Sequence, residues 1–184
     1  MSRLTLHTQD TAPQASRPLV DKAIASNGFL PNLIGVLANS PQALQTYMTV
    51  SGINAETSLN LAEREVVQIT AARIHGCDFC IAGHTAIALK KAQLPVEAVR
   101  ALQQGAATGD ARLDAVRAFA EAVIARRGAV GDADWRAFLD AGYDERQALE
   151  VVLGISLATL CNFANSLAGS AINPQLQAYA SGAI

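Results

Sequence analysis

The chain has 184 residues, of which 14 are lysine or arginine and 16 are aspartate or glutamate, so its net charge is −2. This near balance excludes the strongly basic surface that nucleic-acid-binding proteins use, and we expect no nucleic-acid partner. Hydrophobic residues make up 51% of the chain and charged residues only 16%, which indicates a globular protein whose core needs no disulfide framework.

Helical patterns follow one another along the chain, because apolar residues recur every three or four positions and no alternating β-branched run is present. We therefore predict one all-α domain, residues 19–184, after a polar and flexible leader, residues 1–18. The leader lacks the apolar segment of an export signal, so we expect a cytoplasmic protein with reduced thiols. The predicted helices cover residues 19–27, 31–37, 41–53, 61–74, 77–91, 96–104, 113–127, 132–140, 144–161 and 165–171.

Two of these helix starts carry capping signals. Ser40 followed by Pro41 has the residue types of an N-cap and a first helical position. Asn60 and Glu63 have the spacing of a capping box, in which the two side chains satisfy each other's backbone N–H groups.

The C-terminal residues 151–184 include no charged residue. A membrane-spanning helix is one interpretation, because residues 151–172 are long enough to cross a bilayer. Polar side chains such as Ser156, Asn162 and Asn165 count against a single apolar span. We therefore expect no membrane partner and interpret the stretch as a buried or subunit-facing helix pair of a homo-oligomer.

A short internal repeat, which we call the internal echo, includes the start of this stretch. The tripeptide Glu-Val-Val occurs at residues 65–67 and again at 150–152, an offset of 85 residues. The same offset aligns Asn162 with Cys77 and Asn165 with Cys80. The echo indicates an internal duplication in which only the first copy keeps reactive groups.

Cys77, Cys80 and His84 form the most informative pattern in the sequence. A helix advances about 100° per residue, so His84 lies about 40° from Cys80 and about 20° from Cys77 around the axis. All three side chains therefore share one face of the predicted helix 77–91. If Gly76 precedes that helix, both cysteines lie in its first turn, where unpaired N–H groups favour a thiolate. Such a pair can also cycle between dithiol and disulfide.

Glu65 lies twelve residues before Cys77, on the preceding predicted helix. By itself it is best interpreted as an exposed acidic residue that favours the helix N-terminus. A steep chain reversal at Gly76 would instead bring it over the cysteines. Cys161, in the uncharged C-terminal stretch, is interpreted as a buried small apolar residue.

Glu65, the C-x-x-C pair Cys77–Cys80 and His84 together resemble the active-site pattern of the alkylhydroperoxidase AhpD family, part of the carboxymuconolactone decarboxylase-like superfamily. The segment GFLPNLIGVLANS at residues 28–40 is also similar to members of that family. The resemblance implies an AhpD-like helical bundle, assembly as a trimer or hexamer, and a site near a subunit boundary.

The resemblance further implies a thiol peroxidase, an oxidoreductase with peroxide as acceptor. Cys80 would attack a small-molecule peroxide and become a sulfenic acid, which Cys77 would resolve to a disulfide. His84 and Glu65 would relay the proton. A lipoyl-type dithiol would reduce the disulfide, and no metal or other cofactor is implied.

One position departs from the best-known members, which carry a histidine between the cysteines where this chain has Phe79. His75, just before the pair, is a candidate accessory group in its place. Two other activities stay open: a general thiol–disulfide oxidoreductase and a carboxymuconolactone decarboxylase-like enzyme. True decarboxylases of the superfamily lack the C-x-x-C pair, which argues against lactone decarboxylation.

Two non-enzymatic interpretations also stay open. His75, Cys77, Cys80 and His84 have the residue types of a tetrahedral zinc site, although Glu65 would then have no role. Alternatively, the cysteines are merely structural residues of a helical oligomer, in which case their pKa values would stay near the ordinary value of about 8.5.

Overall fold

The computed structural model describes residues 2–184. It consists of nine α-helices followed by one 3-10 helix, Pro174–Tyr179, and this part of the chain contains no β-strand, so the all-α prediction is confirmed. The α-helices are α1 (Arg17–Asn27), α2 (Asn32–Leu37), α3 (Pro41–Ala55), α4 (Leu61–Ile74), α5 (Asp78–Lys90), α6 (Val96–Gln104), α7 (Ala111–Arg126), α8 (Asp132–Asp140) and α9 (Glu145–Ala168).

The predicted capping signals act as expected. The Ser40 side chain accepts a hydrogen bond from the backbone N–H of Ala43 at the start of α3. At the start of α4 the capping box is complete: Asn60 accepts from the Glu63 N–H at 3.0 Å, and the Glu63 carboxylate accepts from the Asn60 N–H at 2.8 Å. These local bonds fix where both helices begin.

The C-terminal helix pair predicted for residues 144–161 and 165–171 is wrong, because α9 is one continuous helix of 24 residues. Its interior polar residues Asn162 and Asn165 are buried and find side-chain contacts on other elements. They therefore do not interrupt the helix. Gly169, in the left-handed conformation with φ +67°, ends α9 instead.

Helix α4 occupies the centre of the molecule and packs against α5, α6, α7 and α9. It separates two clusters of buried side chains. The first lies mainly between α4, α7, α8 and the first half of α9, and includes stacked rings of Phe119, Phe138 and Tyr143. The second lies between α1, α2, α3, α5 and the second half of α9, and it contains all three cysteines.

Helices α4 and α9 pack tightly against each other at Gly154. A Cβ atom at this position would lie only 3.1 Å from Cγ1 of Val67, which is tighter than ordinary packing. Gln68 donates a hydrogen bond from Nε2 to the Gly154 carbonyl at 2.9 Å. The missing side chain and this bond together set the register of α9 along α4.

The N-terminal segment before α1 lies against the helical body. The backbone N–H of Arg3 donates to the Ala168 carbonyl at 2.8 Å, and that of His7 donates to the Gly35 carbonyl at 3.2 Å. The first helix begins at Arg17, two residues before the predicted start. The flexibility of residues 1–18 and the domain boundary after residue 18 stay predictions.

Helix α9 is long and apolar enough to cross a membrane by length and composition, with a mean hydropathy of 1.6 over its best window. In this fold 44% of that window is buried by the other helices. Because core helices meet the same criterion, it is weak evidence for a span. The outer side of α9 exposes an apolar stripe of Leu149, Val152, Phe163 and Leu167.

Candidate active site

A chain reversal between α4 and α5 creates the site. Gly76 has φ +67°, a left-handed conformation that side-chain-bearing residues adopt with strain. Cys77 is the N-cap of α5, and α5 packs back along α4. The steep reversal considered from the sequence is therefore present, and it brings His84 of α5 beside Glu65 of α4.

Glu65 and His84 form a direct pair, with 2.8 Å between Oε2 of the carboxylate and Nδ1 of the imidazole. Glu65 is only 5% exposed, so its interpretation as an exposed helix-start residue is wrong. Burial acts to lower the pKa of His84, but the charge of Glu65 and the hydrogen bond to it outweigh burial and raise that pKa above 6.5. Glu65 therefore stabilises the protonated form of His84 relative to the neutral one.

Cys77 and Cys80 are both buried and both free thiols. The pKa of Cys77 is lowered to about 7, first by the neighbouring Cys80 thiol and further by the Cys80 backbone N–H and Asn165, while burial opposes the shift. The pKa of Cys80 is raised, first by the neighbouring Cys77 thiol and then by burial. The pair therefore loses its first proton near neutral pH, with the charge favoured on Cys77.

Asn165 of α9 is a site residue that sequence reasoning did not select. Its Nδ2 donates to the sulfur of Cys80 at 3.4 Å, and its Oδ1 is buried without a hydrogen-bond partner in the part of the chain that the structure describes. Asn165 is 3% exposed. A signal existed in the 85-residue offset of the internal echo, which aligns Asn165 with Cys80.

His75 does not join the His84–Glu65 pair. Its Nδ1 lies 2.9 Å from Oδ1 of Asn162, and its ring packs against Phe163 with centroids 5.1 Å apart. As the C-cap of α4, it faces α9. The structure therefore offers no contact through which His75 replaces the family histidine missing at Phe79.

A cavity of about 390 Å³ opens beside the pair. Cys80 and His84 face it, whereas Cys77 does not line it. Cys161 is buried as expected but also lines this cavity, and burial followed by the charge of Cys77 raises its pKa to about 12. Burial, followed by nearby cysteine charges, likewise raises the pKa of Tyr47, another lining residue.

The zinc interpretation finds no geometric support. Within residues 2–184 no group of three or more histidine, cysteine, aspartate or glutamate side chains is placed to hold a metal ion. Of the four ligands considered, His84 is paired with Glu65 and His75 with Asn162. The arrangement instead presents an easily ionised thiol pair beside an imidazolium, which suits nucleophilic sulfur chemistry.

The family model described as carboxymuconolactone decarboxylase family matches residues 41–122. This range includes α4, the chain reversal and all of α5. Among curated proteins, none matches the chain in sequence.

Solved structures share the fold over nearly the whole chain. The alkylhydroperoxidase AhpD core of an uncharacterised peroxidase-related protein from Ralstonia eutropha JMP134 superposes with a TM-score of 0.86 at 20% identity, covering 98% of this chain and 96% of that one. A peroxidase-related protein from Silicibacter sp. TM1040 gives 0.81 at 19% identity, with 98% and 94% covered.

A cysteine-to-alanine variant of the debrominase Bmp8, in complex with 2,3,4-tribromopyrrole, is also similar, with a TM-score of 0.79 at 19% identity and 97% and 96% of the two chains covered. These likenesses establish the fold. Together with the family match over residues 41–122, they support the resemblance to the AhpD-like and carboxymuconolactone decarboxylase-like superfamily.

Proposed function

We propose that this protein is a thiol-dependent peroxidase that reduces an alkyl hydroperoxide through a dithiol/disulfide cycle of Cys77 and Cys80. The observation that carries the proposal is the convergence of an ionisable cysteine pair and the His84–Glu65 pair at one cavity. Peroxide reduction needs both a sulfur nucleophile and an acid for the leaving oxygen.

Cys80 is assigned the attack because its side chain lines the cavity and that of Cys77 does not. Since the resting charge is favoured on Cys77, one proton must first pass from the Cys80 thiol to Cys77. The amide of Asn165 at 3.4 Å then stabilises the Cys80 thiolate.

The Cys80 thiolate attacks the distal oxygen of the hydroperoxide, the O–O bond breaks, and the departing alkoxide takes a proton from the His84 imidazolium to become an alcohol. Glu65 holds that imidazolium through Nδ1, which leaves Nε2 for the leaving oxygen. Cys80 is now a sulfenic acid. Cys77, once deprotonated, attacks the Cys80 sulfur and displaces hydroxide, which is protonated to water, and a disulfide forms.

A dithiol returns the disulfide to the reduced pair, and the lipoyl type is the reductant implied by the family resemblance. The remaining expectations are a cytoplasmic location, where thiols stay reduced, and a homo-oligomer. The exposed apolar stripe on α9 supports the latter.

Turnover of cumene hydroperoxide with dihydrolipoamide tests the proposal in the wild type, Cys80→Ser and Cys77→Ser. We expect Cys80→Ser to be inactive. Cys77→Ser should stop at a sulfenic acid on Cys80 that dimedone traps. Arg136→Gln is the matched control. The Arg136 side chain is exposed on α8 and does not line the cavity, so we expect unchanged turnover.

A sulfenic acid trapped on Cys77 instead would reverse the two roles. Full turnover in both cysteine variants would contradict the peroxidase. Oxidation of dihydrolipoamide by the disulfide form, without any turnover of peroxide, would favour the general thiol–disulfide oxidoreductase.

A further inference from the structure

The cavity has two chemically different ends joined by one face of α5. Cys80, His84, Ile87 and Lys91 all line it, and their spacing of four, three and four residues places them on a single helical stripe. The sulfur of the candidate nucleophile lies at the N-terminal end of the stripe. The C-terminal end carries Lys91 and the neighbouring lining residue Lys90.

The charge of the cavity is one-sided. Its lining includes Lys90, Lys91 and His84 but no aspartate or glutamate, although the whole chain has a net charge of −2 and only three lysines. Lys90 is held in place over the ring of Tyr179, with Nζ 4.8 Å from the ring centroid. Two of the three lysines of an acidic protein therefore lie at the mouth of one cavity.

The walls between these two ends are predominantly apolar. They include Phe29 from the segment before α2, Leu33 of α2, Leu157 of α9, and Leu176 of the C-terminal 3-10 helix. Such walls suit an alkyl chain, and a carboxylate at the end of the cavity away from Cys80 would find its counter-ions at the two lysines. Lys90 and Lys91 are both exposed, and their ammonium groups can bind a carboxylate through charge-assisted hydrogen bonds.

We infer that, within the proposed peroxidase function, the substrate is an amphiphilic hydroperoxide whose carboxylate binds Lys90 and Lys91 while its alkyl chain lies along the α5 stripe. The eleven residues from Cys80 to Lys91 correspond to a rise of about 16 Å along the helix axis, the length of an extended chain of about a dozen carbons. The peroxide group should therefore lie about that far from the carboxylate.

Binding of dodecanoate, which has the required length but no peroxide, tests the site without any turnover. We expect calorimetry to detect binding to the wild type and at least tenfold weaker binding to Lys90→Gln/Lys91→Gln. Dodecanol, which has the chain without the charge, should bind both proteins equally. Equal dodecanoate binding by the wild type and the double variant, or none by either, would overturn the inference.

Steady-state turnover of hydroperoxides then tests whether the lysine site contributes to catalysis. We expect the wild type to prefer 13-hydroperoxyoctadecadienoic acid to its methyl ester about tenfold in kcat/KM, and the double lysine variant to lose that preference. Arg136→Gln should retain it. If acid and ester are used equally while cumene hydroperoxide is reduced, the peroxidase stands and the carboxylate site is overturned. If dodecanoate binds at the lysines but no peroxide is reduced, the site stands and the peroxidase fails.

Discussion

Two glutamates of α4, two residues apart and both buried, have opposite surroundings. Glu63 is 2% exposed and is satisfied on every side: it accepts from the Asn60 N–H at 2.8 Å, from Arg112 Nε at 2.9 Å and from the Tyr143 hydroxyl at 3.0 Å. Glu65 is 5% exposed, and its one side-chain partner within residues 2–184 is His84.

The difference separates a structural carboxylate from a reactive one. The partners of Glu63 belong to helix starts and the rim of the aromatic cluster, and they keep their protonation states at neutral pH. The partner of Glu65 titrates and lines a cavity with Cys80. A buried charge with a full set of donors stabilises a fold, whereas one with a single titratable partner beside a cavity is suited to proton transfer.

Replacement of Glu65 should give the largest effect on activity. In Glu65→Gln the amide can still accept from His84 but no longer favours the imidazolium, so the acid for the leaving oxygen is lost. We expect about a 100-fold fall in kcat/KM for cumene hydroperoxide, with the thermal midpoint little changed. Unchanged kcat/KM would contradict the assignment of Glu65 to the proton relay.

The pH dependence should sharpen the comparison, because the surroundings of Glu63 within residues 2–184 contain no thiol, whereas Glu65 and His84 lie beside the ionisable Cys77–Cys80 pair. Since the pKa of Cys77 is lowered to about 7, the thiolate population and the rate of iodoacetamide modification should rise about tenfold from pH 6 to pH 8. The raised pKa of His84 keeps the acid form available above pH 6.5. A first thiol ionisation near 8.5 would instead favour merely structural cysteines.

Replacement of Glu63 should lower stability and leave activity unchanged, the reverse of what we expect for Glu65. Glu63→Gln removes the charge that pairs with Arg112 and weakens the bonds from Asn60 and Tyr143. We expect the free energy of unfolding to fall by about 1–2 kcal/mol in urea titrations. The kcat/KM per folded molecule should stay at the wild-type value. A large loss of kcat/KM would contradict the purely structural role of Glu63.

Replacement of Asn165 should have the smallest effect of the four. Asn165→Leu keeps the volume of the side chain but removes the donor to the Cys80 sulfur. Because this donor lowers the pKa values of both thiols, the first thiol pKa should rise and the modification rate at pH 7 should fall a few-fold. A fall at pH 7 that disappears at pH 9 distinguishes a lost donor from a general structural defect.

The local features of the fold could be predicted from the sequence. Capping residues such as Ser40 and Asn60, and Pro41 at a first helical position, act within one turn of a helix, so the pattern alone places the starts of α3 and α4. The shared face of Cys77, Cys80 and His84 is likewise a matter of helical geometry.

The tertiary contacts could not be predicted in this way. The burial of Glu65 depends on the direction in which the chain turns at Gly76, which no local pattern specifies. The sequence predicted that one helix ends at residue 161 and another begins at 165, yet the contacts of Asn162 and Asn165 with His75 and Cys80 join residues more than 80 positions apart. The same contacts explain why α9 continues through them.

The absent side chain at Gly154 has a consequence for engineering. Helix α9 is a single rod, and its residues Cys161 and Asn165 lie two and three turns beyond the point where the rod touches α4. A Gly154→Ala substitution would tilt or shift α9 against α4. The amide of Asn165 would then move away from the sulfur of Cys80. Laboratory evolution of altered substrate preference should therefore keep Gly154 and vary Lys90 and Lys91 at the mouth of the cavity. A change of charge there alters which substrate binds without moving the reacting atoms.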